Sequence, residues 1–300
     1  MKTRSRLSSS LLMSSVLMLV ASAAGAAPTP TQVTTLTGSV SGTQVTASGK
    51  VAFGGVDPAI IGEDPAGDPA SSAAGLDLLS LSIGQPDGTK GELVFTIKLG
   101  GMATGGIPEL FQFNWDISVN GGAASGGAEW SIKTMRQSVV ATSGLDPDAA
   151  IYACLPSETG FSCSRSMAVP VVYDQATAEI RMTIPLAAIN ASPGAVIEAW
   201  ARNGQPVWVR TSAAGQVTGG ATADDMTHDP YTVPPKSVRL GLAPAGTAEG
   251  DVTFGPTVQL ATNGNFTGSV AASGPGSYDL WARGCIADNC HATSTPVSVA

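Results

Sequence analysis

The chain has 300 residues, of which 43% are hydrophobic and 13% are charged, and 23 acidic against 15 basic residues give a net charge of −8. This composition favours a folded chain, because disorder normally needs low hydrophobicity and high charge. The acidic balance, with no Lys/Arg cluster after Arg6, argues against nucleic acid as a partner and against an anionic membrane surface.

The first 27 residues have the features of a secretory signal peptide. Lys2, Arg4 and Arg6 precede an apolar run at 11–20, and small residues at 21–27 provide an Ala-x-Ala cleavage site. The run is too short to span a bilayer, so we expect cleavage and no membrane insertion afterwards. Cleavage leaves 12 basic against 23 acidic residues. Without a cysteine at the cleavage site or an apolar C-terminal tail, we expect a secreted, extracellular protein, either released or held loosely at the cell surface.

The remaining chain is patterned as strands. Its 36 glycines and 20 prolines interrupt it every few residues, and the apolar positions between them repeat with period two. Residues 79–83 and 93–99 predict a hairpin turning at Asp87-Gly88, with one face buried. Its buried positions are predicted to be Leu79, Leu81, Ile83, Leu93, Phe95, Ile97 and Leu99.

The strongest predicted strand covers 111–119, where five apolar residues alternate with polar ones and place Trp115 in the core. Further strands are expected at 129–134, 169–173 and 179–184. Short strands separated by turns predict an all-β fold, with a larger antiparallel β-sandwich as its main part.

Two polar segments set the expected domain boundaries. Residues 56–75 and 218–235 are rich in Asp, Pro, Gly and Ala, and we interpret them as a long loop and an interdomain linker. The sequence therefore predicts a larger sandwich at 31–225, a linker at 226–235 and a small Greek-key sandwich at 236–300. The small domain's strands are expected at 238–242, 252–254, 257–261, 266–271 and 278–283.

The larger domain resembles bacterial secreted sandwiches of the DOMON and family 9 carbohydrate-binding type. The resemblance covers residues 50–233, and most of the residues that carry it are turn residues between strands. They are Asp64-Pro-Ala-Gly-Asp68, residues 76–81 and 93–97, Asp174-Gln175, Ile184-Pro-Leu186, Pro193-Gly194 and Asp224-Asp225. It implies a sandwich that binds sugar or a cofactor, often with calcium. The C-terminal domain resembles small immunoglobulin-like modules.

Four cysteines form two local pairs, Cys154/Cys163 and Cys285/Cys290. In an exported protein an even number at short spacing predicts disulfides, most simply between near neighbours. The alternative is a zinc site using Cys285, Cys290 and His291, but zinc usually takes four ligands, and the only other histidine is His228.

Calcium is the one cofactor that the sequence suggests. Asp64, Asp68 and Asp77 flank one predicted loop, and Asp224 and Asp225, with Asp229, flank another. Hard cations require such clustered oxygens, and the two loops could meet at one end of the sandwich. The alternative is that aspartates beside Pro or Gly simply build turns.

A pair of tryptophans is the candidate ligand site. If Asn203-Gly-Gln205 forms a hairpin loop, Trp200 lies opposite Trp208 and Glu198 opposite Arg210. Trp200, Trp208, Arg202 and Arg210 would then form a flat aromatic platform with hydrogen-bonding neighbours, suited to a sugar ring. A loop of two residues would break this pairing, and the alternative role for both tryptophans is to cap the core.

No catalytic residue is predicted. The chain contains no Gly-x-Ser-x-Gly elbow, His-Glu-x-x-His motif or phosphate-binding glycine loop. We therefore expect a non-catalytic binding or adhesion protein whose partner is a glycan or a cell-surface protein. The alternatives are a structural envelope-associated protein with protein contacts only and, less favoured, a glycoside hydrolase with dispersed carboxylates.

Overall fold

The computed structural model describes residues 29–67, 77–102, 111–120, 129–135, 148–157, 160–199, 208–213, 222–227 and 229–300. The predicted signal peptide lies outside them. The described residues form two short 3-10 turns, Leu186–Ile189 and Glu249–Asp251, and twenty-one strands. The strands are β1 Gln32–Ser41, β2 Gln44–Ala52, β3 Val56–Glu63, β4 Leu78–Gln85, β5 Glu92–Leu99, β6 Phe111–Val119, β7 Trp130–Met135, β8 Asp148–Ser157, β9 Gly160–Val169, β10 Val171–Asp174, β11 Glu179–Pro185, β12 Val196–Ala199, β13 Trp208–Ala213, β14 Thr222–Thr227, β15 Tyr231–Thr232, β16 Lys236–Pro244, β17 Phe254–Thr257, β18 Gln259–Leu260, β19 Asn265–Ala271, β20 Gly276–Ile286 and β21 Asn289–Val299.

The prediction of an all-β fold is confirmed. Strands β3 to β15 form two antiparallel sheets around one core. One sheet has the order β10-β11-β5-β4-β3. The other has the order β14-β13-β6-β7-β8-β9, with β12 pairing to β6 and to the short strand β15. We refer to this part as the larger sandwich.

Strands β5 and β6 supply the centre of the larger core. On β5 every second residue is buried, as period two requires, and the predicted face of Leu93, Phe95, Ile97 and Leu99 is confirmed. On β6, Phe113, Trp115 and Ile117 are completely buried. The rings of Phe95 and Trp115 meet edge to face across the two sheets, with centroids 4.8 Å apart.

The predicted hairpin of β4 and β5 is present, with one difference in its buried face. Leu81 and Ile83 pair with Ile97 and Phe95 as expected, but the register shifts between Leu78 and Ser80. This bulge places Leu78 in the core and leaves Leu79 half-buried. A bulge inserts one residue and therefore changes which side chains share a face.

A smaller sandwich is built from both ends of the described chain. Its sheets have the orders β1-β2-β19-β18 and β17-β16-β20-β21. The pairing of β2 with β19 joins residues more than 200 positions apart in sequence. The core between the sheets contains Val45, Val51, Leu240, Phe266 and Leu280, among others.

The predicted start of the larger sandwich at residue 31 and the predicted linker at 226–235 are therefore wrong. Residues 32–52 belong to the smaller sandwich, not to a domain beginning at residue 31, because β2 pairs with β19. The predicted linker at 226–235 contributes Met226, Tyr231 and Val233 to the larger core. The predicted loop at 56–75 begins instead with strand β3. The change from one core to the other falls between Val233 and Lys236.

The two sandwiches touch where the β4–β5 turn meets the smaller core. A Cβ atom on Gly88 would lie 2.4 Å from the Gly54 carbonyl oxygen and 2.6 Å from Ile286 Cδ1, so only glycine fits. The Lys236 ammonium donates to the Gly88 carbonyl and lies 5.4 Å from the centroid of the Phe53 ring. Burial lowers the pKa of Lys236, against the opposing effect of the Asp87 carboxylate.

Candidate functional site

Strands β12 and β13, which the sequence predicts to form the hairpin of the ligand site, do not pair with each other over their described residues. β12 pairs with β6 and β15, and β13 pairs with β6 and β14. Both run antiparallel to β6 along the same edge, so they follow one another in one direction. Glu198 lies opposite Ser118, and Arg210 lies opposite Asn114, so the predicted pairing of Glu198 with Arg210 is wrong. Trp200 and Arg202 lie outside the described residues.

The register of β13 gives the position of Trp208 and Arg210 in the sheet. Arg210 lies between Asn114 on β6 and Asp225 on β14, and Trp208 lies opposite Thr227. Val209, between them, lies opposite Trp115 in the core. Trp208 and Arg210 therefore lie at alternate strand positions on either side of Val209, which is in register with a core residue. Arg210 is in register with a polar residue of β6.

A set of polar side chains covers this part of the sheet on the side away from the core. We call it the polar face and define it as Asn114, Asp116, Ser118, Ser131, Lys133 and Tyr152. The Ser131 hydroxyl donates to Asp116 Oδ1 at 2.5 Å, and the Lys133 ammonium lies 4.6 Å from the centroid of the Tyr152 ring.

The polar face is unusual because much of it is buried. Asn114, Ser118 and Ser131 are each less than a tenth exposed. Buried polar groups are retained where hydrogen bonds satisfy them. The Ser131 hydroxyl is satisfied by the Asp116 carboxylate.

The described aspartates of the predicted calcium site lie in two places. Asp64 and Asp77 flank the segment 65–76, where both carboxylate oxygens of Asp77 lie 3.1 Å from the Gly67 N–H. Asp68 lies outside the described residues. Asp224 and Asp225 lie on strand β14, opposite Thr211 and Arg210, rather than in a loop.

A backbone contact brings the two acidic segments to one edge of the larger sandwich. The Asp229 N–H donates to the Ile61 carbonyl oxygen at 2.7 Å, which joins the chain after β14 to strand β3. Among the described side chains, no three His, Cys, Asp or Glu residues lie close enough together to hold a metal ion. Calcium binding stays a prediction.

Both predicted disulfides are present. Cys154 bonds Cys163 and Cys285 bonds Cys290, with S–S distances of 2.06 Å and 2.11 Å. Each pair joins directly opposite residues of a hairpin, β8–β9 and β20–β21. The zinc alternative is wrong, since both thiols it needs are in a disulfide. His291 Nδ1 instead accepts a hydrogen bond from the Val33 N–H at 3.1 Å.

One polar surface was not predicted from the sequence. The outer side of the sheet β1-β2-β19 presents nine polar residues, which we call the hydroxyl face: Thr35, Thr37, Ser39, Thr46, Ser48, Lys50, Asn265, Thr267 and Ser269. Alternating Ser and Thr at 35–39, 46–48 and 267–269 is the signal that identifies it. Alternation alone does not show that these segments are neighbouring strands of one sheet, which only the pairing of β1, β2 and β19 reveals.

Comparisons of the chain with protein-family models, with curated proteins and with solved structures give no match. The DOMON-like, family 9-like and immunoglobulin-like resemblances stay predictions. Within the part of the chain that the structure describes, no helix is long and apolar enough to cross a membrane.

Proposed function

We propose that this chain is an exported, non-catalytic binding or adhesion protein whose larger sandwich binds a glycan. Export is supported by the basic, apolar and small-residue segments of the first 27 residues. Two hairpin disulfides are compatible with an oxidising extracellular environment.

The observation that carries the glycan proposal is the register of Arg210. This residue lies between Asn114 and Asp225, and Asn114 belongs to the polar face. Trp208 lies two residues away on the same strand. Sugar rings have apolar faces and hydroxyl edges, so an aromatic position next to positions with planar hydrogen-bonding groups is a residue set that suits them.

The test is a pull-down of the mature chain with insoluble polysaccharides, comparing Trp208→Ala with a matched Trp281→Ala control on the smaller sandwich. We expect the Trp208 variant to lose at least tenfold in affinity and the Trp281 variant to bind like the unaltered chain. Equal binding by the two variants, or no binding by the unaltered chain, would contradict the glycan proposal.

A structural role with protein contacts only is the second candidate. It is supported by exposed apolar side chains on β8 to β10, where Leu155 is 69% exposed, Val172 is 55% exposed and Met167 is 38% exposed. Single exposed apolar residues are common, but several on three consecutive strands favour a partner protein. Replacing all three with serine would weaken cell-surface retention if this role is correct and leave it unchanged if it is not.

A further inference from the structure

The hydroxyl face is a regular array built by three neighbouring strands. Register places its residues in three rows, each crossing β1, β2 and β19: Thr35–Lys50–Asn265, Thr37–Ser48–Thr267 and Ser39–Thr46–Ser269. All nine residues are exposed, whereas Val45, Ala47 and Phe266, at alternate positions on β2 and β19, are buried. Neighbours in a row are about 4.8 Å apart, and rows are about 7 Å apart along the strands.

The first two rows line a shallow groove of about 390 Å³. This volume lies within the range of about 300–1,000 Å³ that ligand sites occupy. Across the middle of the groove, Thr37 Oγ1 lies 2.9 Å from Ser48 Oγ and donates to the Ser48 carbonyl oxygen at 3.2 Å. The middle of the groove is therefore polar.

Several donors in the groove are available to a ligand. Among the described residues, none accepts a hydrogen bond from the Lys50 ammonium or forms an ion pair with it. None forms a hydrogen bond with the Asn265 side-chain amide or with the Thr267 hydroxyl. These groups offer three donors from the ammonium, two donors and an acceptor from the amide, and both roles from the hydroxyl.

We infer that this groove is a second glycan-binding site, on the smaller sandwich, and that its ligand is an uncharged polysaccharide chain. Sugar hydroxyls donate and accept as the Ser and Thr hydroxyls do, so a polysaccharide can pair with each row in turn. The third row continues the same chemistry beyond the groove, which fits an extended polymer better than a single small molecule.

The charges of the hydroxyl face and of the whole protein favour an uncharged ligand. The hydroxyl face contains one cation, Lys50, and no carboxylate, whereas the whole chain has a net charge of −8. A polyanion would gain one close ionic contact and meet the repulsion of an acidic protein. An uncharged chain gains the hydrogen bonds without that repulsion.

This inference does not depend on the site proposed at Trp208 and Arg210, because the two sites are on different sandwiches. If both sites bind, the protein is bivalent, and its apparent affinity for a long polysaccharide exceeds that of either site alone. Short oligosaccharides, which reach only one site, would bind far more weakly than the polymer.

The test is affinity electrophoresis of the mature chain in native gels that contain galactomannan, xylan, mixed-linkage β-glucan or dextran, with polygalacturonate as the charged comparison. The groove variant is Thr37→Val/Ser48→Ala/Thr267→Val, which keeps side-chain volume and β-propensity but removes three hydroxyls. The matched control is Ser294→Ala/Ser298→Ala, which removes two exposed hydroxyls from β21 of the opposite sheet.

We expect at least one uncharged polysaccharide to retard the unaltered chain and the control, and we expect the groove variant to lose at least tenfold in affinity. A second variant, Lys50→Gln/Asn265→Ala, changes only exposed side chains and should lose binding as well, which keeps the test valid if the triple variant does not fold. Circular dichroism and melting temperature verify folding.

Three results would overturn the inference: no retardation by any uncharged polysaccharide, retardation by polygalacturonate alone, or unchanged binding by both groove variants. In the last case, loss of binding in Trp208→Ala would leave the function proposed for the larger sandwich in place while removing this second site. Loss in the groove variants with full binding by Trp208→Ala would support this site and contradict the first.

Discussion

The ring of Phe95 on β5 meets the ring of Trp115 on β6 at an interplanar angle of 79°, with centroids 4.8 Å apart. Both side chains are completely buried, and they belong to different sheets of the larger sandwich. Edge-to-face pairs of this kind add about 0.5–1.5 kcal/mol to the stabilisation from burial alone. The contact therefore holds the two sheets together at the centre of the core.

Truncation of the Phe95 side chain should destabilise the folded chain. We expect Phe95→Ala to lower the free energy of unfolding by about 3–5 kcal/mol, since it removes buried area and leaves a cavity. The control is Val94→Ala on the half-buried side of the same strand, with a much smaller expected loss. Urea denaturation of both variants measures the difference, and similar losses in the two would contradict the central position of Phe95.

Gly88 provides a test of the junction between the sandwiches. We expect Gly88→Ala to lower the free energy of unfolding by about 1–3 kcal/mol, because the added methyl meets backbone and core atoms. Gly250→Ala is the matched control, since a Cβ there meets nothing within 4 Å. Denaturation curves decide: an alanine tolerated equally at both positions would mean that the β4–β5 turn does not pack tightly against the smaller core.

Tyr231 should make stability depend on alkaline pH. Burial raises its pKa to about 12 from an ordinary value of 10.0, and its hydroxyl has no hydrogen-bond partner among the described residues. The folded chain thus holds this proton more tightly than the unfolded chain does. The contribution to stability is complete below pH 10 and is lost as pH rises towards 12.

The variant Tyr231→Phe isolates this effect. It should match or exceed the stability of the unaltered chain at pH 7, because the removed hydroxyl is buried and unpaired. Between pH 9 and pH 11 the unaltered chain should lose about 1 kcal/mol more than the variant. Urea denaturation at the two pH values measures this, and parallel losses in the two proteins would show that Tyr231 ionises normally.

The predicted calcium site is tested by thermal denaturation with 1 mM calcium and with a chelator. If Asp64, Asp77, Asp224 and Asp225 bind the ion, calcium at 100 times its dissociation constant stabilises the folded chain by about 2.7 kcal/mol. Asp77→Asn should abolish the shift, and Asp288→Asn, in the distant β20–β21 turn, should leave it intact. An identical melting temperature with and without chelator would contradict calcium binding.

Local sequence patterns predict those parts of the fold in which the contacting residues are close in sequence. The β4–β5 hairpin, strand β6 and both disulfides involve residues close in sequence, so alternation, turn residues and cysteine spacing predict them. The exception is the bulge near Leu79, which period two does not reveal.

Pairing between distant strands could not be predicted in this way. Strand β2 pairs with β19, more than 200 residues away in sequence, and no local sequence pattern indicates which distant strand is the partner. For the same reason the pattern predicts that β12 and β13 pair with each other across Asn203-Gly204-Gln205, whereas both strands pair with β6. The hydroxyl face depends on the first of these pairings, and the position of Arg210 depends on the second.

The most direct test of the account is binding and turnover measured on one sample. The mature chain is first assayed by affinity electrophoresis with uncharged polysaccharides, and the polysaccharide that retards it is then incubated with the protein and sized by gel filtration. We predict retardation and an unchanged distribution of polysaccharide length. The absence of retardation by every polysaccharide, or shortened chains after incubation, would contradict a non-catalytic glycan-binding protein.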